Sequence, residues 1–127
     1  MADSVLTTAF RERIAARNAG KSALPAFAYL AFGTGGHDPD TLEVVPVSAS
    51  QTALNSEVLR KAATSINQED SLSITVKASV AASELNGEYI SECGLLDEDG
   101  NLVAVKNFSP KIKEESETYE YSITVRF

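Results

Sequence analysis

Tryptophan is absent from these 127 residues, and cysteine, histidine and methionine each occur once. A single cysteine, Cys93, rules out an internal disulfide, so the fold has to rest on an apolar core. A single histidine, His37, leaves no convincing nucleophile–base–orienter set and no histidine-rich metal centre. Positive charge is also scarce. Eleven Lys and Arg face eighteen Asp and Glu, a net charge of −7, which argues against nucleic-acid binding because phosphate contacts need a basic face. Apolar runs of membrane-spanning length are missing, and "MADSVLTTAF" has no basic start followed by an apolar stretch. The expectation is a protein made in the cytoplasm, without membrane insertion.

The remaining composition is that of an ordinary soluble globular protein, with 43% apolar and 23% charged residues. The length suits one domain, 1–127. Charge is unevenly spread. Residues 1–36 carry four basic and two acidic side chains, a balance of +2, and residues 37–127 carry seven and sixteen, a balance of −9.

Residues 5–19 read as a helix. Thr7 or Thr8 supplies an N-cap, Leu6, Phe10 and Ile14 recur every fourth residue, and Gly20 suits the position after the C-cap. At 100° per residue, Arg13 and Arg17 project into the same sector as that apolar stripe. Two arrangements satisfy them: snorkelling to the helix edge, or a face turned toward a partner. Pro25–Phe32 reads as a buried strand, Gly33–Asp40 as a loop, and "SASQTALNSEV" as a helical turn capped by Ser48 or Ser50. Period-two alternation follows. "LSITVKASV" and "YEYSITVRF" each put apolar residues on one face, as antiparallel strands with one wet face do. "NQEDS", "ELNGE" and "DEDGN" are turns, and "SPKIKEESE" is a polar connection. The expected class is α+β, an N-terminal helix packed on a small antiparallel β-sheet or sandwich.

Candidate chemistry is thin. "DEDGN" fails as a calcium loop, because Gly100 falls at the fourth position from Asp97 and Phe108 occupies the twelfth. An Asp-Gly hairpin between "CGLL" and "LVAV" explains it instead. "FGTGGHDPD" lacks the Gly-Lys-Ser/Thr of a phosphate loop. His37, Asp38 and Asp40 are loop neighbours with no distant Cys or His partner. Cys93 reads as a buried thiol. These residues give no catalytic, metal or cofactor site, and the protein reads as a non-enzyme.

The order of features resembles the N-terminal domain of phage tail-collar and tail fibre proteins of contractile-tailed phages and phage-like particles. "LTTAFRERIAA", "AYLAFGTGG", "SQTALNSEVLRKA" and "ISECGLLDEDGNLVAVKNFSP" carry the resemblance in turn, with Phe10 and the charged run Arg11–Arg13 in place of a smaller opening. It implies a structural virion-tail protein, phage or prophage-derived, made in the bacterial host cytoplasm. It also implies a baseplate-proximal collar or attachment domain that works as a homotrimer with other tail or baseplate proteins. Such proteins continue into a shaft, so the chain is expected to be an excised domain or a short adaptor. Leu6, Phe10, Arg13, Ile14 and Arg17 are the expected protein interface. A receptor- or glycan-binding module of a fibre is the alternative.

Overall fold

The computed structural model describes residues 4–127. In chain order the elements are β1 (Val5–Leu6), α1 (Thr8–Asn18), β2 (Phe27–Gly33), β3 (Glu57–Ala62), β4 (Ser65–Asp70), β5 (Ser73–Val80), β6 (Tyr89–Asp97), β7 (Leu102–Ile112) and β8 (Tyr119–Arg126). Every strand pairing is antiparallel. Five strands form one sheet in the order β1-β7-β6-β2-β3, and three form a second in the order β4-β5-β8.

The expected α+β class is corrected by this arrangement, which is mainly antiparallel β in two sheets. The layer facing the five-stranded sheet is a second sheet, and the helix contributes a single buried side chain, Phe10. Three local readings account for the difference. The segment read as a helical turn leads into β3, and "NQEDS", read as a turn, lies mostly within β4. The first four residues of "SPKIKEESE" belong to β7. Sheet neighbours outweighed local propensity at all three places.

Alternation in β5 and β8 sets the inter-sheet core. Val76, Ala78, Val80, Ile123 and Val125 meet Leu30, Phe32, Ile90, Cys93, Leu95 and Val103 from the larger sheet, all 0–1% exposed. Leu72 and Phe127, at the ends of these apolar stripes, are 61% and 56% exposed and lie outside the core. A bulge in the β6–β7 ladder, where Leu95 pairs with Ala104 but Leu96 with Leu102, puts both Val103 and Ala104 in this core.

Helix α1 is tied to that bulge. The Thr7 hydroxyl accepts the Phe10 N–H at 3.2 Å, as an N-cap does, and donates to the Leu102 carbonyl at 2.8 Å, while the Thr7 N–H reaches the Val103 carbonyl. Phe10 then packs on Phe27 with ring centroids 5.7 Å apart. At the other end Gly20 takes φ +75°, and the N–H groups of Ala19, Gly20 and Lys21 close on carbonyls of the last turn.

The outer face of the five-stranded sheet is also covered. Ala31, Leu96, Leu102 and Val105 form a second cluster with Leu54, which arrives on the long connection 34–56. Sandwiched this way, Ile90–Asp97 is buried residue after residue.

Candidate functional site

The connection 34–56 has few ladder bonds, so its backbone groups need partners where it lies on the sheet. Glu92 supplies them. Its fully buried carboxylate accepts N–H bonds from Asn55 at 2.8 Å on Oε1, and from Gly35 at 2.9 Å and Ser56 at 2.8 Å on Oε2. Asn107, the cross-strand neighbour of Glu92, donates from Nδ2 to the Val45 carbonyl at 2.8 Å. Ser91 accepts the Gly36 N–H at 2.9 Å.

This close approach explains the glycines. A Cβ on Gly33 would sit 2.5 Å from a Glu92 carboxylate oxygen, and one on Gly36 2.1 Å from the Ser91 carbonyl oxygen. Gly94 makes room for Leu54, since its Cβ would lie 2.9 Å from Leu54 Cδ2 and 2.8 Å from Leu102 Cδ1. The "QTALN" and "ECGL" segments, 37 residues apart at Asn55 and Glu92, are two halves of one latch. Sequence reasoning missed Glu92 because abundant carboxylates on an acidic chain are usually solvated. The usable signal was a lone charged residue in the otherwise uncharged run "YISECGLL" of a strand.

The other candidates are absorbed by the fold. "DEDGN" forms the β6–β7 turn: Gly100 has φ +81°, and Asp97 Oδ1 accepts the N–H groups of Asp99 and Asn101. Asp38 Oδ1 accepts the N–H groups of Asp40 and Thr41, closing its own loop. His37 Nδ1 lies 2.7 Å from Ser91 Oγ. That pair cannot act as nucleophile and base, because Ser91 is fully buried beneath Gly36. Among the described residues no group of three or more His, Cys, Asp or Glu is placed to hold a metal. Burial pushes the Cys93 thiol up to about 12, and a fully buried thiol of that kind is inert.

A groove between β7 and β8, lined by Phe108, Tyr121, Lys106, Lys111 and Glu120 among others, encloses about 250 Å³. That is below the roughly 300–1,000 Å³ of a drug-sized ligand site.

The expected interface residues separate by burial. Phe10 lies in this chain's own core, and Leu6 and Ile14 pack partly against it. Arg17 is exposed. Arg13 is half-buried, and among the described residues its buried Nη1 has no hydrogen-bond partner.

Comparison with known proteins gives one family. The profile described as phage tail-collar fibre protein, N-terminal, matches residues 1–127, the whole chain. No curated protein is significantly similar.

Proposed function

The chain belongs to the phage tail-collar fibre protein N-terminal family, and from that premise we propose that it is the baseplate-proximal attachment domain of a tail fibre, acting as one unit over residues 1–127. The family gives it a structural part in the virion tail, among other tail components. The finer reading is a homotrimer of phage or prophage origin, made in the host cytoplasm and docked on a baseplate protein without catalysis or cofactor.

The observation that carries this reading is the helix. Its outer surface presents Arg11 and Arg17 on a body that is otherwise acidic, and Arg13 brings a buried donor that is unpaired among the described residues. Carboxylates on a neighbouring subunit or baseplate protein would meet these guanidinium groups through charge-assisted bonds. In this reading Phe10 anchors the helix from beneath, while Leu6 and Ile14 border the contact.

Arg13→Glu with Arg17→Glu should leave circular dichroism and melting temperature close to wild type. Self-association by light scattering, or fibre incorporation into tails, should weaken at least about tenfold, as loss of two interfacial charge pairs allows. An unchanged oligomer with normal incorporation would sink the proposal.

A further inference from the structure

Exposed apolar side chains gather at one end of the β6–β7 hairpin. Tyr89 and Ile112 are cross-strand partners there, each 40% exposed. The His37 ring lies against Tyr89, with centroids 5.9 Å apart, and His37 is bridged to Val44, which is 44% exposed. The turn that this bridge closes carries Leu42, 47% exposed and held at φ +63°. A leucine in the left-handed region is uncommon, and strain of this kind gathers at functional surfaces. The chain thus holds an apolar side chain in solvent at a conformational cost.

Charge decides what covers this platform. Asp40 and Glu43 stand on the same turn, and Glu88 precedes Tyr89. All three are exposed, and among the described residues none of their carboxylates has a hydrogen bond or ion pair. The neighbouring cation, Lys111, is engaged over the Tyr119 ring at 4.9 Å. An aromatic and aliphatic surface rimmed by open carboxylates suits arginine, whose planar head stacks on a ring and pairs with acids. Arg11, Arg13 and Arg17 of helix α1 also have no ion-pair partner among the described residues. They sit at the other end of the same hairpin. Thr7 ties the helix to Leu102 and Val103, and Ile112 is nine positions beyond Val103 along β7, roughly 30 Å. One chain cannot lay its own helix on its own platform.

We infer that the platform of Tyr89, Ile112, Val44 and Leu42 receives helix α1 of a second copy of this chain, head to tail. Asp40, Glu43 and Glu88 of one copy then meet Arg11, Arg13 and Arg17 of the next. The inference rests on the reading of α1 as a contact surface and supplies its partner. A head-to-tail contact uses two different patches on each copy and closes into a ring, of three for the homotrimer.

The test uses the full chain in sedimentation equilibrium at low salt, with melting temperature as the check on folding. Asp40→Lys with Glu43→Lys should weaken association about tenfold or more. These two reversals, each of two units, move the net charge from −7 to −3, so relief of general repulsion would act the other way. Adding Arg13→Glu and Arg17→Glu returns the charge to −7 and rebuilds the contact with its signs exchanged, and association should recover to within severalfold of wild type. Leu42→Asn should keep the fold, since Asn accepts that φ, and weaken association severalfold. If the arginine reversal weakens association and the acid reversal does not, α1 remains a contact surface but meets something else, and this inference falls. A four-residue variant no better than either pair, Leu42→Asn associating as wild type does, or wild type monomeric at every concentration reached overturns it as well.

Discussion

One face of the five-stranded sheet is covered by strands and the other by an irregular connection, and the two covers are held by different forces. On the inner face β5 and β8 satisfy most of their backbone in their own ladder, with Lys106 and Ser4 bonding only the Ser122 and Thr124 carbonyls of β8, and the contact itself is filled by side chains such as Val76, Val80, Ile123 and Val125. Apolar burial then suffices, at about 25 cal/mol per Å². On the outer face the chain from 34 to 56 brings Leu54 and, partly buried, Val47. Much of that segment's backbone lies against the sheet without a ladder, so Glu92, Ser91 and Asn107 must bond it directly. An irregular cover needs polar partners along its length in the sheet beneath it; the regular one takes such a partner, Lys106, only at its edge.

The comparison breaks most severely at Phe32, which is fully buried on the inner face and packs on Tyr121 with centroids 5.0 Å apart. Phe32→Ala should cost about 3–5 kcal/mol in chemical denaturation, and amide protection should fall in both sheets together. A loss confined to one sheet would show that the two sheets do not fold as one cooperative layer pair.

At the outer face Glu92→Ala strands three N–H donors and should cost about 2–4 kcal/mol, with Glu92→Gln costing less because one oxygen still accepts. Here exchange should quicken first at Gly35, Asn55 and Ser56, while residues 73–80 stay protected. Uniform loss of protection would mean that the connection and the inner core unfold as one.

A smaller effect comes from Cys93, on the inner face. Cys93→Ala should cost about 1–2 kcal/mol at neutral pH. The thiol's folded value of about 12 stands above its ordinary 9.0, so the stabilising contribution is fully present below pH 9 and lost as pH rises toward 12. The slope in that window is about 1.4 kcal/mol per pH unit. The wild-type lead over Cys93→Ala should therefore vanish roughly one unit above pH 9 in urea titrations at each pH. A lead that persists to pH 11 would contradict the burial of the thiol.

Local chemistry made several elements legible. Thr7 and Gly20 marked the helix ends, alternation marked β5 and β8, and Asp-Gly marked the β6–β7 turn. Strands β3 and β4 left no such mark. Ser48 to Val58 carries cap-like residues that suit a helix, and β4 has a single apolar side chain, so neither shows a period of two. Missing them led to an α+β expectation, a helix packed on a small sheet or sandwich, where the protein is mainly antiparallel β in two sheets. The resemblance of "QTALN" and "ECGL" to the tail-fibre family was also legible and is matched by the family profile over the whole chain.

By itself the sequence determined the caps, the hairpin and the apolar faces of the strands that alternate, because each is set by residues within a few positions of one another, and it carried the family in short blocks spread along the chain. Only the tertiary structure decided that two sheets face each other, that Glu92 meets Asn55 across 37 residues, and which sheet edge is sealed. A carboxylate's role depends on the donors that surround it, and a strand edge's role on whatever lies beside it. Those neighbours come from distant parts of the chain, and no local period or spacing encodes them.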